Sequence, residues 1–244
     1  MRRVVYTALA SALLATAGTA SAQVAAQQMD AGPRLRITPF VGQAPQFERK
    51  ERWNVSDGVL AGSFAIETPF ASGAAVGGVV EARLTEKFSF VASGVYIARR
   101  STIDFETSEL DPGANFLLAK AGVALRLRES VSEMQLRQLS ASIFAAPALV
   151  REMPKDDLSV DPALTDAINH YGLNLGFEAE IPLNGDFVAL QFGAEDFVVW
   201  WNESELADRF DRGAAGGGFA TTSTVETDPS HMWVFRAGLT FRLR

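Results

Sequence analysis

From residue 34 onward, apolar and polar side chains alternate with a period of two along most of the chain. The clearest stretch is Tyr171 to Ile181, where Tyr171, Leu173, Leu175, Phe177, Ala179 and Ile181 interleave with Gly172, Asn174, Gly176, Glu178 and Glu180. The last segment repeats the pattern, with Trp233, Phe235, Ala237, Leu239, Phe241 and Leu243 against Arg236, Gly238, Thr240 and Arg242. A period of two puts one set on each face of a β-strand. Small residues blur the same alternation at Arg34–Gly42, Ala74–Leu84, Phe88–Ile97, Phe116–Leu127, Leu139–Val150 and Phe187–Trp200, which brings the expected strands to eight. Each is long enough to cross a bilayer at a tilt, which takes roughly 9 to 11 residues.

The connections alternate between short and long. Thr85-Glu86-Lys87 and Leu183-Asn184-Gly185-Asp186 are brief, and the Asn-Gly step in the second is a hairpin-turn signal. The link from Arg128 to Gln138 is longer but charged. Four long polar segments, Gln43–Gly73, Ala98–Asn115, Arg151–His170 and Trp201–Ser230, fall on the opposite rim. Short turns on one rim and long loops on the other predict an all-β, antiparallel up-and-down transmembrane barrel. Within the first loop, Val59, Ala61, Ser63 and Ala65 alternate with Leu60, Gly62, Phe64 and Ile66. A further membrane hairpin there would give ten strands instead of eight.

Alternation alone does not say which face is wet. The polar faces here combine glycines (Gly122, Gly172, Gly176, Gly193, Gly238) with a few charges of both signs, a mixture that suits a crowded lumen better than a solvated surface. The lumen is therefore expected to hold an ionic network of Glu81, Arg83, Lys120, Arg126, Glu178, Glu180, Glu195, Arg236 and Arg242, with His170 at its loop end. The apolar faces then meet lipid, with an aromatic girdle of Phe88, Phe187 and Phe241 near the turns and Tyr96, Tyr171, Trp200, Trp201 and Trp233 near the loops.

Export is legible at the start of the chain. Arg2 and Arg3, an apolar stretch from Val4 to Ala17 and the small-residue run Ala20-Ser21-Ala22 read as a cleaved signal peptide over residues 1–22. Residues 23–33 read as a flexible leader and 34–244 as the barrel domain. The removed segment carries two arginines and no acid, which takes the formal net charge from −7 to about −9 and disfavours nucleic acid as a partner. There is no cysteine, so disulfides, a lipidated N-terminal cysteine and thiolate zinc sites are excluded.

With these features the chain resembles the small bacterial outer-membrane barrels of the OmpA/OmpX type over about Arg34 to Arg244. The resemblance rests on the export signal, the eight alternating strands, the rim asymmetry and the aromatic-rich last strand, Trp233 to Arg244. It implies residence in the outer membrane as a monomer among its lipids and lipopolysaccharide, and recognition of the last strand by the assembly machinery. Such strands usually end on an aromatic residue; here Leu243 and Arg244 stand last, with Phe241 the nearest aromatic.

No catalytic, cofactor or metal site is expected. Ester hydrolysis needs a nucleophile beside a base; Ser230 precedes the histidine His231 and Ser159 lies eleven residues before the other, His170, but neither forms a local motif. The acids Asp156, Asp157, Asp161 and Asp166, and Glu203, Glu205, Asp208 and Asp211, read as solvated loop residues whose spacing matches no calcium loop. The glycine run Gly216-Gly217-Gly218 reads as flexibility. The leading expectation is a structural or surface-interaction barrel with a filled lumen and four long extracellular loops. The alternatives are a small pore or transport barrel and a soluble periplasmic lipid-binding barrel.

Overall fold

The computed structural model describes residues 35–58, 61–99, 103–104, 109–110, 114–130, 139–154, 166–184, 187–216 and 218–243. The expected signal peptide and leader lie outside these residues. The elements are β1 (Leu35–Ala44), β2 (Phe47–Ser56), β3 (Ala61–Phe70), β4 (Gly73–Arg83), β5 (Phe88–Arg99), β6 (Ile103–Asp104), β7 (Glu109–Leu110), β8 (Ala114–Ser130), β9 (Leu139–Pro154), β10 (Ile168–Asn184), β11 (Val188–Trp200), helix α1 (Glu203–Gly216), β12 (Thr222–Thr227) and β13 (Ser230–Leu243).

Eight strands close a barrel in the order β1-β4-β5-β8-β9-β10-β11-β13, every pair antiparallel, and Leu35 opposite Leu243 seals first strand to last. Each of the eight covers its expected segment but for single end residues: Leu84 and Phe187 fall just outside β4 and β11, and Arg34 lies outside the described residues. The two faces are sorted as a lipid solvent requires. On the outside, Leu173, Phe177 and Phe235 are 37%, 46% and 49% exposed, whereas Glu178 and Arg236 in the lumen are 4% and 5% exposed. A water-soluble barrel has the opposite order. On β10 the outward residues Tyr171 to Leu183 are apolar throughout. They cover about 40 Å of strand, or about 28 Å along the membrane normal at a 45° tilt, close to a hydrocarbon thickness.

Of the expected girdle, Phe88, Tyr96, Tyr171, Phe187, Trp200, Trp233 and Phe241 are exposed, but Trp201 is not; it is 6% exposed. Adjacent residues of a strand end face opposite ways, so with Trp200 outside, Trp201 turns in over the mouth of the lumen.

The first and fourth long segments are more than loops. β1 and β4 run past the rim as β2 and β3, with a break in pairing between Ala44↔Gly73 and Phe47↔Phe70. β13 is preceded in the same way by β12, which pairs with β2. These three strands form a separate sheet, β12-β2-β3, so the ten-strand alternative does not hold: the extra hairpin forms outside the barrel wall and leaves the lumen narrow. Helix α1 lays Leu206 and Ala207 on this sheet, and Phe210 meets Trp53 at 4.9 Å between ring centroids. Glu203 and Glu205 in its first turn complement the helix dipole. Gly218, at φ 85°, stops it, with Gly218 N–H donating to Ala215 O and Phe219 N–H to Ala214 O. The glycine run is thus in part a helix terminator. Sheet and helix together make a cap over the barrel mouth.

Candidate functional site

The lumen is filled in tiers. Nearest the short turns, Arg36 donates to Glu180 at 3.0 Å and lies 3.5 Å from Glu81, which also faces Arg126 at 3.5 Å; Arg242 holds the other side of Glu180 at 2.8 Å. Above them Arg236 fans out across the barrel, donating through Nε to Glu195 (2.6 Å), Nη1 to Gln191 (2.5 Å) and Nη2 to Glu178 (3.0 Å). Lys120 donates to Glu195 (2.7 Å) and to Asn174 (2.8 Å). The structure therefore brings together eight of the nine expected ionic residues. Arg83 stands apart: its Nε donates to the carbonyl of Thr85 in the turn. Arg36, Asn174 and Gln191 join the network without having been singled out from sequence.

The lumenal glycines make room for rings as well as for charges. A Cβ on Gly176 would sit 2.1 Å from Cζ of Phe144, whose ring lies 3.6 Å beneath the Lys120 ammonium, and one on Gly77 would meet Phe40 at 2.6 Å. Phe40 in turn lies 5.1 Å from the Arg236 guanidinium. Cation–π contact offsets part of the cost of burying each charge.

Above the ionic tiers Phe47, Phe70, Phe116 and Trp201 close the mouth, with Phe47 and Phe70 stacked at 4.7 Å and Trp201 6.2 Å from both. The cap is fastened there by one carboxylate. Glu152 receives Arg49 Nη1 at 2.7 Å, Arg209 Nη1 at 3.4 Å and His170 Nε2 at 3.2 Å. His170 Nδ1 accepts the Asn202 backbone N–H, so Nε2 carries the proton and donates. Arg49 also bonds Glu51, which accepts from Trp53 Nε1. The outward residue just past Leu149 on β9 is the exposed Arg151, so the apolar band ends below Glu152. Burial opposes its charge, yet Arg49, the His170 hydrogen bond and Arg209 outweigh that and hold the carboxyl well below the usual carboxylate range.

Among the described residues, neither histidine is hydrogen-bonded to a serine. His170 is wholly buried against Glu152 and Trp201. His231 faces outward and binds Asp196 at 2.7 Å through Nδ1, while the Ser230 hydroxyl turns inward, accepting from Trp201 Nε1 and donating to the Glu48 carbonyl. Ser159, Asp156, Asp157 and Asp161 lie outside the described residues. Asp166 pairs with Arg212 at 3.5 Å, Glu203 accepts from Thr227, and Asp211 from Thr221 and Ser223. Among the described residues no three acids or histidines converge as metal ligands.

No family model matches the sequence, and no curated protein matches it. Solved structures do resemble it. Neisserial surface protein A is 10% identical with a TM-score of 0.44, the match covering 84% of this chain and 97% of that one. The outer membrane protein OprG from Pseudomonas aeruginosa is 11% identical at 0.46, covering 87% and 98%. Ail, the attachment invasion locus protein of Yersinia pestis, is 11% identical at 0.34, covering 86% and 100%.

Proposed function

We propose that the chain is a bacterial outer-membrane barrel whose sealed lumen serves as a rigid stem for an ordered extracellular cap, in a structural or surface-interaction role and not as an open pore. The observation that carries this reading is Arg236: one buried guanidinium tied to Glu178, Gln191 and Glu195 spans the lumen at mid-height, beneath a lid of four aromatic rings. Closing an eight-stranded barrel leaves an interior just wide enough for such side chains. The export signal expected at residues 1–22 and the absence of cysteine suit passage to the outer membrane. Loops carried on a rigid scaffold are the usual seat of recognition, and here the first and fourth are folded into one surface. Planar-bilayer recording of the purified, refolded chain tests the reading. No stepwise conductance is expected; regular channel steps would favour the transport reading instead.

A further inference from the structure

β3 is the last strand of the cap sheet. Among the described residues it pairs with β2 along one edge and with no strand along the other. Residues 61 to 67 are exposed on both faces, and every second one turns its N–H and C=O toward the open side. Edges of this kind are normally blunted by lysine, proline, a bulge or an overlying element. Here the register with β2 is unbroken, and residues 61 to 66 carry neither a charge nor a proline.

Beside this edge lies an apolar surface that lipid does not explain. Among the described residues, the large apolar side chains that are exposed belong to the wall strands and their turns, except Phe64 and Ile66 on β3 and Phe219 just past α1. Phe64 is the cross-strand partner of Trp53 and shares its face. Trp53 is 5% exposed beneath Phe210, whereas Phe64 is 41% exposed. Phe219, held by the helix terminator at Gly218, is 67% exposed. Phe64 and Phe219 both line a cleft of about 350 Å³ between β3 and the C-terminal half of α1, together with Val55, Phe210 and Ala214. Apolar surface left in water marks a site of interaction.

Edge and cleft share one orientation. A strand laid along β3 would place its alternate side chains on the face of Phe64 and Ile66, level with the cleft. The two ends are acidic: Asp57 is the one charged residue lining the cleft, and Glu67 is the one charge on β3. A second copy is a poor occupant. β2 leaves the wall and β3 returns to it in every copy, so two copies in one membrane present β3 running the same way and cannot pair it antiparallel, the stronger arrangement. We infer that β3 and the cleft bind an extended segment of a partner protein, apolar at alternate residues and flanked by lysine or arginine, which joins the three-stranded cap sheet at its open edge. The inference rests on the surface-interaction reading above and names the class of partner.

The probe is a short synthetic peptide in which valine and threonine alternate between terminal lysines, added to the full chain in neutral-detergent micelles and followed by backbone amide NMR. Before addition, alternate amides of residues 61–68 should exchange freely. The peptide should shift this row saturably, protect it from exchange and leave β10 still. Methylating the backbone nitrogens of either the valines or the threonines separates strand addition from apolar contact, because only one set faces β3. One methylated peptide should bind at least about tenfold more weakly and the other as well as the parent. Glutamates in place of the lysines should weaken binding at least about threefold, a difference that Asp57→Asn with Glu67→Gln removes. Phe64→Lys should weaken the lysine peptide at least about tenfold. Unchanged heat-dependent gel mobility and unchanged amide signals in β2 and α1 certify that barrel and cap are folded in each variant. Four results would each overturn the proposal: no saturable response, an open edge already protected without peptide, equal binding of the two methylated or of the lysine and glutamate peptides, or a dimer that occupies the same amides. Failure of the reading it rests on shows differently, as channel steps in the bilayer or a gel mobility that heat does not change.

Discussion

Glu152 on β9 and Arg49 on β2 meet at 2.7 Å across the seam between barrel and cap, both buried. One strand belongs to the wall and the other to the overlying sheet, so this pair, with Arg209 from α1 at 3.4 Å, is the point at which three elements are held by one carboxylate. Removing one member of a buried, hydrogen-bonded ion pair costs about 3–5 kcal/mol, because the partner is left uncompensated.

Glu152→Gln should therefore loosen the cap and leave the barrel standing. Amide exchange in β2 and α1 should accelerate while that of β10 and β11 is unchanged; uniform acceleration would mean that cap and wall unfold as one unit.

The same pair sets a pH response. The Glu152 carboxyl is depressed by its cationic partners, so its stabilisation is complete above the ordinary carboxylate range and is lost progressively as pH falls from there through the lower, folded-state value. Cap amide protection, corrected for intrinsic exchange, should stay level from neutral pH down to about pH 4.3, the ordinary glutamate value. Loss of protection between pH 7 and 5 would count against the assignment.

Arg236→Ala removes the cation that bridges Glu178, Gln191 and Glu195. Thermal unfolding should drop by the equivalent of about 3 kcal/mol or more, with no conductance gained, since the aromatic lid remains. Unchanged melting with new channel steps would show that the network gates a path.

Gly176→Leu tests the packing of the lumen. Its side chain would occupy the space of the Phe144 ring, and the ring cannot withdraw without leaving Lys120. The folded, heat-shiftable gel band should be lost in Gly176→Leu and restored in part by Phe144→Ala in the same chain; full folding of the single variant would refute the close approach.

The eight wall strands were legible because each has one apolar and one mixed face, and period two survives small residues. Sorting individual residues failed where a face was itself mixed. Arg36 shares its lumenal side with Thr38 and the apolar Phe40, so nothing in the first strand marked Arg36 as inward. Trp200 and Trp201 cannot both belong to the girdle, because neighbours in a strand alternate and parity turns one of them in. The cap was hidden for a different reason. β2 buries Phe47, Arg49, Glu51 and Trp53 and exposes Glu48, Lys50 and Arg52, so both of its faces carry charges and periodicity gives little contrast. Burial of Arg49 and Glu51 becomes intelligible only once Glu152, about a hundred residues away, supplies the partner. Helix α1 has a narrow apolar stripe of Leu206, Ala207 and Phe210, too weak to stand out from a polar loop. Asp196 interrupts an otherwise apolar face, so the alternation does not mark it.

Which solvent bathes the outer wall decides whether the barrel spans a membrane. With no native cysteine, single cysteines at the outward positions Leu173, Leu175 and Phe177 take a nitroxide label cleanly, and its collisions with dissolved oxygen and with a water-soluble nickel chelate can be measured in vesicles. Labels at 173, 175 and 177 should collide strongly with oxygen and weakly with nickel. Strong nickel collisions at 173, 175 and 177 would place water where the account requires hydrocarbon.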